Sequence, residues 1–280
     1  MHVQKFYLKN LHLLYLSKLI IMKKILFTLT LLISFASFGQ QLKAILMVGD
    51  EDLISNKQDD IDYMEEIRFF LQKKNVLVKT FYNNFIWQDV VKEAEDTSIF
   101  IYQGHGIDWK EKGYGGFDLK KKVSSEDIIR DLKLKSNSII LFQSVCGGAG
   151  SSAGDNLDIG LKEAKNRIVS YSSPFFKTGA EAYFSINTVG GVMDFLQDFF
   201  LNKSVRQIFN NSITTFFDKE IEEVLVMDKY IGIASSNWGG TVTQTSWENG
   251  KKTIKEVPSV KSYDIAYVSN PNYSINSLIK

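Results

Sequence analysis

The strongest constraint on this chain is a set of short apolar runs separated by amphipathic stretches. The runs are KAILMVG at Lys43–Gly49, SIFIY at Ser98–Tyr102 and SIILFQSV at Ser138–Val145. Runs of this length are shorter than a typical helix and are characteristic of strands that are covered on both faces. The pattern predicts an α/β fold, a three-layer αβα sandwich built around a mostly parallel sheet.

The stretches between these runs supply the other predicted elements. Apolar residues at helical spacing mark the helices, and β-branched or alternating segments mark the strands. We predict helices over Asp59–Lys74, Trp87–Ala94, Glu126–Leu132 with Ser125 as N-cap, Asp155 to about Lys165, and Val192–Phe217, and further strands over Val76–Phe81, Ile168–Tyr171 and Ala182–Ile186.

The C-terminal part of the chain has a different pattern. From Glu223 onward it is β-like, and Asn249-Gly250 is a hairpin signal. We therefore predict one α/β domain over residues 40–217 and a β-rich extension of the same domain over residues 218–280.

Residues 1–39 read as a targeting segment. Residues 1–40 contain five lysines and no acidic residue, and an apolar run at Ile25–Phe35 follows the basic Met22-Lys23-Lys24. That run is short for a membrane span, and small residues before Gln40 offer a cleavage site. We expect translation to start at Met22, followed by export to the periplasm or beyond, with no membrane span left after cleavage.

Charge and residue counts exclude several function classes. The net charge is +1, which argues against a nucleic-acid binder with a basic face. The chain has one cysteine, Cys146, and three histidines, of which His2 and His12 lie in the targeting segment. The mature chain therefore has no internal disulfide, and we expect no metal site built from several Cys or His residues and no cofactor.

The remaining histidine and the cysteine follow two of the apolar runs. His105 and Cys146 each come just after such a run, and each is followed by glycine. Ligand sites of open α/β sheets gather at the carboxyl ends of the strands, so neighbouring strands would bring both side chains to one crevice. A thiol and an imidazole together can perform nucleophilic acyl transfer. Taken singly, each residue has a structural alternative: a buried thiol, or a histidine with its hydrogen bonds made in the core.

The glycine after His105 has a place in this hypothesis. Gly106 lets a substrate carbonyl approach the backbone, so that its N–H and that of Cys146 could form an oxyanion hole. The order His before Cys, 41 residues apart, excludes papain-like and nucleophile-elbow arrangements, in which the histidine follows the nucleophile.

SIFIYQGHG at Ser98–Gly106 and SIILFQSVCGG at Ser138–Gly148 resemble the two motif halves of the caspase-like cysteine peptidases, a superfamily that includes caspases, legumains, clostripain, gingipains and CHAT domains. The likeness extends over about Lys43–Phe217, through Asp59–Val78 and Pro174–Gly191. The tail has no counterpart in the family.

The resemblance implies a role for each matching residue. His105 would be the general acid and base, Cys146 the nucleophile, and the N–H groups of Gly106 and Cys146 the oxyanion donors. Ser144, two residues before the nucleophile, would help to floor the specificity pocket, with Asn56 and Ser172 near its other walls. The family often has Gln, Glu or Asp at the first of these positions, so these small neutral residues favour no charged substrate side chain.

The leading hypothesis is an exported cysteine endopeptidase that hydrolyses peptides or proteins through a Cys–His dyad and a thioester. Two alternatives remain open from the sequence. One is a caspase-like fold that serves as a catalytically silent binding module, and the other is an acyltransferase that uses the same dyad.

Overall fold

A computed structural model describes residues 22–24, 41–49, 57–107, 111–152, 154–155, 157–188, 190–213, 217–226, 228–236, 241–248, 251–258 and 261–279. The chain forms two compact units, Met1–Gln41 and Leu42–Lys280. In the first unit residues 22–24 are helical, and the rest of the predicted signal segment, with its cleavage site, lies outside the described residues. None of the described helices is long and apolar enough to cross a lipid bilayer.

The second unit is built around a sheet of eight strands. Its strands and those of a separate hairpin are β1 Lys43–Val48, β2 Leu77–Phe81, β3 Ile99–Gln103, β4 Ser138–Gln143, β5 Ala180–Ile186, β6 Phe217–Val226, β7 Lys229–Ser236, β8 Thr241–Glu248, β9 Lys251–Pro258 and β10 Ser262–Ser269. The sheet order is β2-β1-β3-β4-β5-β10-β7-β6. The first five strands are parallel, and β10, β7 and β6 add an antiparallel portion.

Helices cover both faces of this sheet. They are α1 Lys57–Lys73, α2 Trp87–Ala94, α3 Ser125–Asp131, α4 Leu161–Phe176, α5 Gly191–Phe200, α6 Val205–Ser212 and α7 Ile275–Ile279. Alternate residues of β1 face opposite layers: Ala44, Leu46 and Val48 pack with α1, α5 and α6, whereas Ile45 and Met47 pack with α2 and α4. The predicted three-layer α/β architecture is therefore confirmed, because each face of the sheet has its own apolar cluster.

The C-terminal extension is β-rich, as predicted. It joins the main sheet through β10, which pairs with β5 and β7. The hairpin signal is also confirmed, since Glu248 of β8 lies opposite Lys251 of β9.

The predicted strand Ile168–Tyr171 is wrong, because these residues lie within α4. Ile168, Tyr171 and Phe175 recur at intervals of three and four residues and are fully buried. Burial of this helical face outweighs the strand preference of β-branched and aromatic residues. The helix even includes Pro174, which removes one main-chain donor from its last turns.

The predicted helix Val192–Phe217 is wrong as a single element. The structure has α5 and α6 instead, separated by a turn in which Asn202 has a φ of 65°. Ser204 caps α6 by accepting a hydrogen bond from the N–H of Gln207, and the side chain of Gln207 returns to the N-cap. Phe217 already belongs to β6.

Two helix starts also differ from the prediction. α3 is capped by Ser124 rather than Ser125, through a hydroxyl that accepts from the third residue of the helix. α4 begins at Leu161, six residues after Asp155. The carboxylate of Asp155 is held instead by the buried Arg167, so this acid fixes the preceding loop and does not cap the helix.

Candidate active site

His105 and Cys146 lie at one edge of the sheet, beyond the ends of neighbouring parallel strands. β3 and β4 pair in register, with Gln103 opposite Gln143. His105 comes two residues after the end of β3, and Cys146 three residues after the end of β4. The histidine is exposed and the cysteine partly exposed. The expectation that the two strands are neighbours is confirmed.

The loops that carry these residues contact each other at Gly106. A Cβ built on Gly106 would lie 2.9 Å from the carbonyl oxygen of Cys146 and 1.9 Å from Oη of Tyr171. A side chain at this position would force the two loops apart. Glycine is therefore needed here for close approach of backbone to backbone.

The orientation of the Gly106 peptide follows from its pairing. Gly106 and Phe117 form an antiparallel bridge whose hydrogen bonds belong to the flanking residues. The carbonyl of His105 accepts from the N–H of Asp118 (2.9 Å), and the N–H of Ile107 donates to the opposite segment (3.1 Å). At a non-hydrogen-bonded position of an antiparallel pair the N–H points away from the partner. The N–H of Gly106 thus points away from Phe117.

Tyr171 of α4 supports both loops. Its Oη donates to the carbonyl of Ile107 (3.0 Å), and its ring packs edge-to-face on Tyr114 with a centroid separation of 5.2 Å. A Cβ on Gly147, the residue after Cys146, would lie 2.9 Å from the same ring. Burial raises the pKa of Tyr171 well above its ordinary value, with smaller contributions from neighbouring groups that include Cys146. The hydroxyl therefore stays protonated and remains a donor.

Buried side chains at the strand ends hold the turns that follow them. Oη of Tyr102 donates to the carbonyl of His105 (2.7 Å). Nε2 of Gln143 donates to the carbonyl of Thr188 (2.6 Å), while its Oε1 accepts from the N–H of Val192 (3.0 Å). The bonds of Gln143 connect the edge of the sheet to the start of α5.

The chain turns sharply on both sides of Cys146. Ser144 has a φ of 55° and Gly147 a φ of 79°, both in the left-handed region. The N–H of Gly147 donates to the carbonyl of Ser151 (2.8 Å), which closes the turn after the cysteine. Cys146 thus lies in a tight turn beyond the end of β4, where it is partly exposed.

Arg167 fixes the rest of the loop after Cys146. It is only 2% exposed, and its Nη1 donates to Oδ2 of Asp155 (2.7 Å) and to the carbonyl of Gly150 (3.3 Å). Its Nε donates to Glu163 (3.0 Å) within α4. A buried guanidinium needs such partners, because an unpaired buried charge is strongly unfavourable.

A small cavity of about 270 Å³ opens beside the cysteine. It is lined by Ser144, Cys146, Ser151, Ser152, Asn187, Ser262 and Asp264. Of the three pocket residues expected from the sequence, Ser144 lies in this lining and Asn56 lies outside the described residues. Ser172 is fully buried within α4, where its Oγ contacts the carbonyl of Val169 at 3.4 Å, so its placement at a strand end and on the pocket wall is wrong.

Sequence reasoning missed three residues of this site: Arg167, Tyr171 and Asp264. The signal for Arg167 was a charge within the apolar face of α4, between Ala164 and Ile168. That signal, and the supporting role of Tyr171, could be read only once the segment was recognised as a helix. Asp264 left no comparable signal, because its relation to Cys146 depends on the pairing of β10 with β5.

Within the described ranges, no group of three or more His, Cys, Asp or Glu side chains is arranged to hold a metal ion. No protein-family model matches this chain, and comparison with curated proteins gives no match. The function therefore has to be argued from the site itself.

Proposed function

We propose that this chain is an exported cysteine endopeptidase in which Cys146 is the nucleophile and His105 is the general acid and base. The observation that carries the proposal is the contact between the two loops, with Gly106 packed against the Cys146 carbonyl at the ends of paired strands. The partly exposed cysteine beside an open cavity also supports it, because a substrate must reach the sulfur.

Acylation begins when the Cys146 thiolate attacks the carbonyl carbon of the scissile peptide bond. The carbonyl oxygen becomes an oxyanion, which the N–H groups of Gly106 and Cys146 stabilise. Loss of one such donor typically costs about 3–4 kcal/mol of transition-state stabilisation. The C–N bond then breaks, the His105 imidazolium gives its proton to the leaving amine, and the acyl group remains on sulfur as a thioester.

Deacylation uses the same groups in reverse. Water attacks the thioester carbonyl while the neutral His105 imidazole accepts a proton from that water. The C–S bond breaks, the carboxylic acid product leaves, and the thiolate and imidazolium are restored.

The test is hydrolysis of a peptide library by the purified mature chain and by matched variants. We expect Cys146→Ala to lower kcat/KM by at least about 1,000-fold, since it removes the nucleophile. Iodoacetamide should label one residue, Cys146, with parallel loss of hydrolysis. Ser138→Ala is the control: Ser138 is buried at the opposite end of β4, and its Oγ has no hydrogen-bond partner among the described residues.

The possible outcomes distinguish a peptidase, an acyltransferase and a catalytically silent module. Full hydrolytic activity in Cys146→Ala would exclude the proposed mechanism. Acyl transfer to an added amine without net hydrolysis would replace the peptidase by an acyltransferase. Absence of both reactions, with the fold intact by circular dichroism, would favour a silent binding module.

A further inference from the structure

The described lining of the cavity beside Cys146 contains one carboxylate, which comes from the C-terminal extension. Asp264 lies on β10, and its main-chain carbonyl accepts from the N–H of Asn187 (2.9 Å), directly after β5. The antiparallel pairing of β10 with β5 therefore brings this acid to the same edge of the sheet as the cysteine.

The Asp264 carboxylate is positioned but not neutralised. Its Oδ1 accepts from Oγ of Ser262 (2.7 Å), and its Oδ2 accepts from Oγ of Ser236. Two carboxylate oxygens can accept about four hydrogen bonds, so capacity remains for a donor from a ligand. The nearby Lys261 pairs with Glu220 at 2.6 Å, and no basic side chain of the described residues pairs with Asp264.

The rest of the lining also offers acceptors. Oδ1 of Asn187 is buried and has no hydrogen-bond partner among the described residues. The other lining residues besides the cysteine are serines, and the described lining contains no Lys, Arg or His. A buried acceptor without a donor is costly, and Asn187 is itself a residue of the cavity lining.

We infer that this cavity takes the side chain of a lysine or arginine that lies immediately before the scissile bond. An ammonium or guanidinium group supplies donors only, and the Asp264 carboxylate keeps acceptor capacity for such donors. The cavity borders Cys146, and the residue whose carbonyl is attacked has its side chain closest to the sulfur. This assignment rests on the proposed function, and it replaces the neutral pocket that Ser144 implies.

The probe is a pair of fluorogenic peptides that differ only in arginine or citrulline before the cleaved bond, since citrulline keeps the shape and removes the charge. We expect the wild type to prefer arginine by at least about tenfold in kcat/KM, the usual scale for hydrogen bonds to a charged group. Asp264→Asn should bring the ratio close to one. Asp96→Asn should keep it, because Asp96 is an exposed turn residue at the opposite edge of the sheet.

A second variant does not disturb the serines that hold Asp264. Ser144→Asp adds a carboxylate to the wall at a left-handed position that Asp tolerates, and it should raise the arginine-to-citrulline ratio. If hydrolysis depends on Cys146 but the ratio is near one in the wild type, or is unchanged in Asp264→Asn, the inference is overturned and the peptidase stands.

A binding measurement tests the basic-residue pocket even if the proposed peptidase activity is absent. Calorimetric titration of Cys146→Ala with each peptide measures the pocket without chemistry. If the wild type hydrolyses neither peptide, tighter binding of the arginine peptide that disappears with Asp264→Asn supports the pocket while the proposed function fails. Equal binding of the two peptides contradicts the inference.

Discussion

The side chain that connects the loops after β3 and β4 is Tyr171. Its hydroxyl satisfies the carbonyl of Ile107, and its ring lies against Gly106 and Gly147. These three contacts are to backbone atoms of the loops, while the ring also packs against the side chains of Tyr114 and Phe142, so the tyrosine fixes where the loops run. It is a positioning residue for both His105 and Cys146.

Tyr171→Phe should therefore lower both stability and activity. Removing the hydroxyl leaves the buried Ile107 carbonyl without its donor, which costs about 1–3 kcal/mol in the free energy of unfolding. The matched control is Tyr273→Phe, which removes a hydrogen bond to the carbonyl of Asn137, before β4 at the other edge of the sheet.

Urea unfolding and kcat/KM, measured on the same samples, check this prediction. Both variants should lose comparable stability, whereas only Tyr171→Phe should lose kcat/KM, by about tenfold or more. Equal activity in the two variants would show that Tyr171 supports the core alone.

Individual site residues differ in how far the sequence reveals them. His105 and Cys146 stand out in the sequence because residues 40–280 contain one imidazole and one thiol, both beside recognisable strands. Tyr171 and Asp264 do not, since each reaches the site through tertiary pairing across 65 or more residues of chain (Gly106 to Tyr171). Local pattern carries no information about such pairing.

At the level of elements, the antiparallel portion of the sheet is joined by a contact that crosses a whole strand. Tyr267 of β10 and Glu222 of β6 both lie opposite Gly232 of β7. Oη of Tyr267 donates to the Glu222 carboxylate, passing over the glycine, where a Cβ would lie 2.3 Å from the tyrosine ring. Because Gly232 has no side chain, the side chains of Tyr267 and Glu222, on the two strands that flank β7, can contact each other.

Glu222 should make this part of the sheet sensitive to acid. Burial raises its pKa, but Lys219, Tyr267 and Arg206 outweigh burial and leave the pKa below its ordinary value. A carboxyl with a lowered folded-state pKa stabilises the protein above its unfolded pKa, about 4.3, and this contribution disappears as the pH falls through the folded value.

Glu222→Gln tests this expectation. The wild type should be more stable than the variant by about 1–3 kcal/mol at pH 7, and the difference should shrink steadily as the pH falls below about 4. Glu95→Gln, in an exposed turn after α2, should change stability by less than about 0.5 kcal/mol. A Glu222→Gln difference that persists at low pH would assign the effect to packing.

The elements that sequence analysis missed have specific causes. RIVSYSSPFF in α4 contains β-branched residues and a proline, yet its buried stripe makes it helical. The break between α5 and α6 has a local sequence signal, the capping box formed by Ser204 and Gln207. The strands with continuous apolar runs were predictable because burial on both faces leaves polar residues, such as Ser138 and Gln143 of β4, only at the strand ends.

In the whole molecule, the C-terminal strands complete the fold and the site together. β10 lies between the parallel strand β5 and the antiparallel strand β7, so it continues the sheet that the first 186 residues build. Tyr263, Ile265, Tyr267 and Val268 are all buried in the two apolar clusters. The same strand supplies Asp264 to the cavity beside Cys146.

A chain that ends at Ser212 should therefore fail to fold as a monomer. Loss of β10 exposes the edge of β5 and removes four large buried side chains. At about 1.5–3 kcal/mol for each such side chain, the loss is comparable to the whole stability of a domain, about 5–15 kcal/mol. The unpaired edge of β5 should also promote aggregation.

The control replaces residues 241–258 by a short glycine-serine linker, because β8 and β9 pair only with each other among the described strands. Gel filtration and thermal unfolding should show a soluble, cooperative monomer for the control and aggregation or no cooperative transition for the truncated chain. A truncated chain that stays monomeric and keeps hydrolysis dependent on Cys146 would instead define residues 43–212 as an autonomous domain.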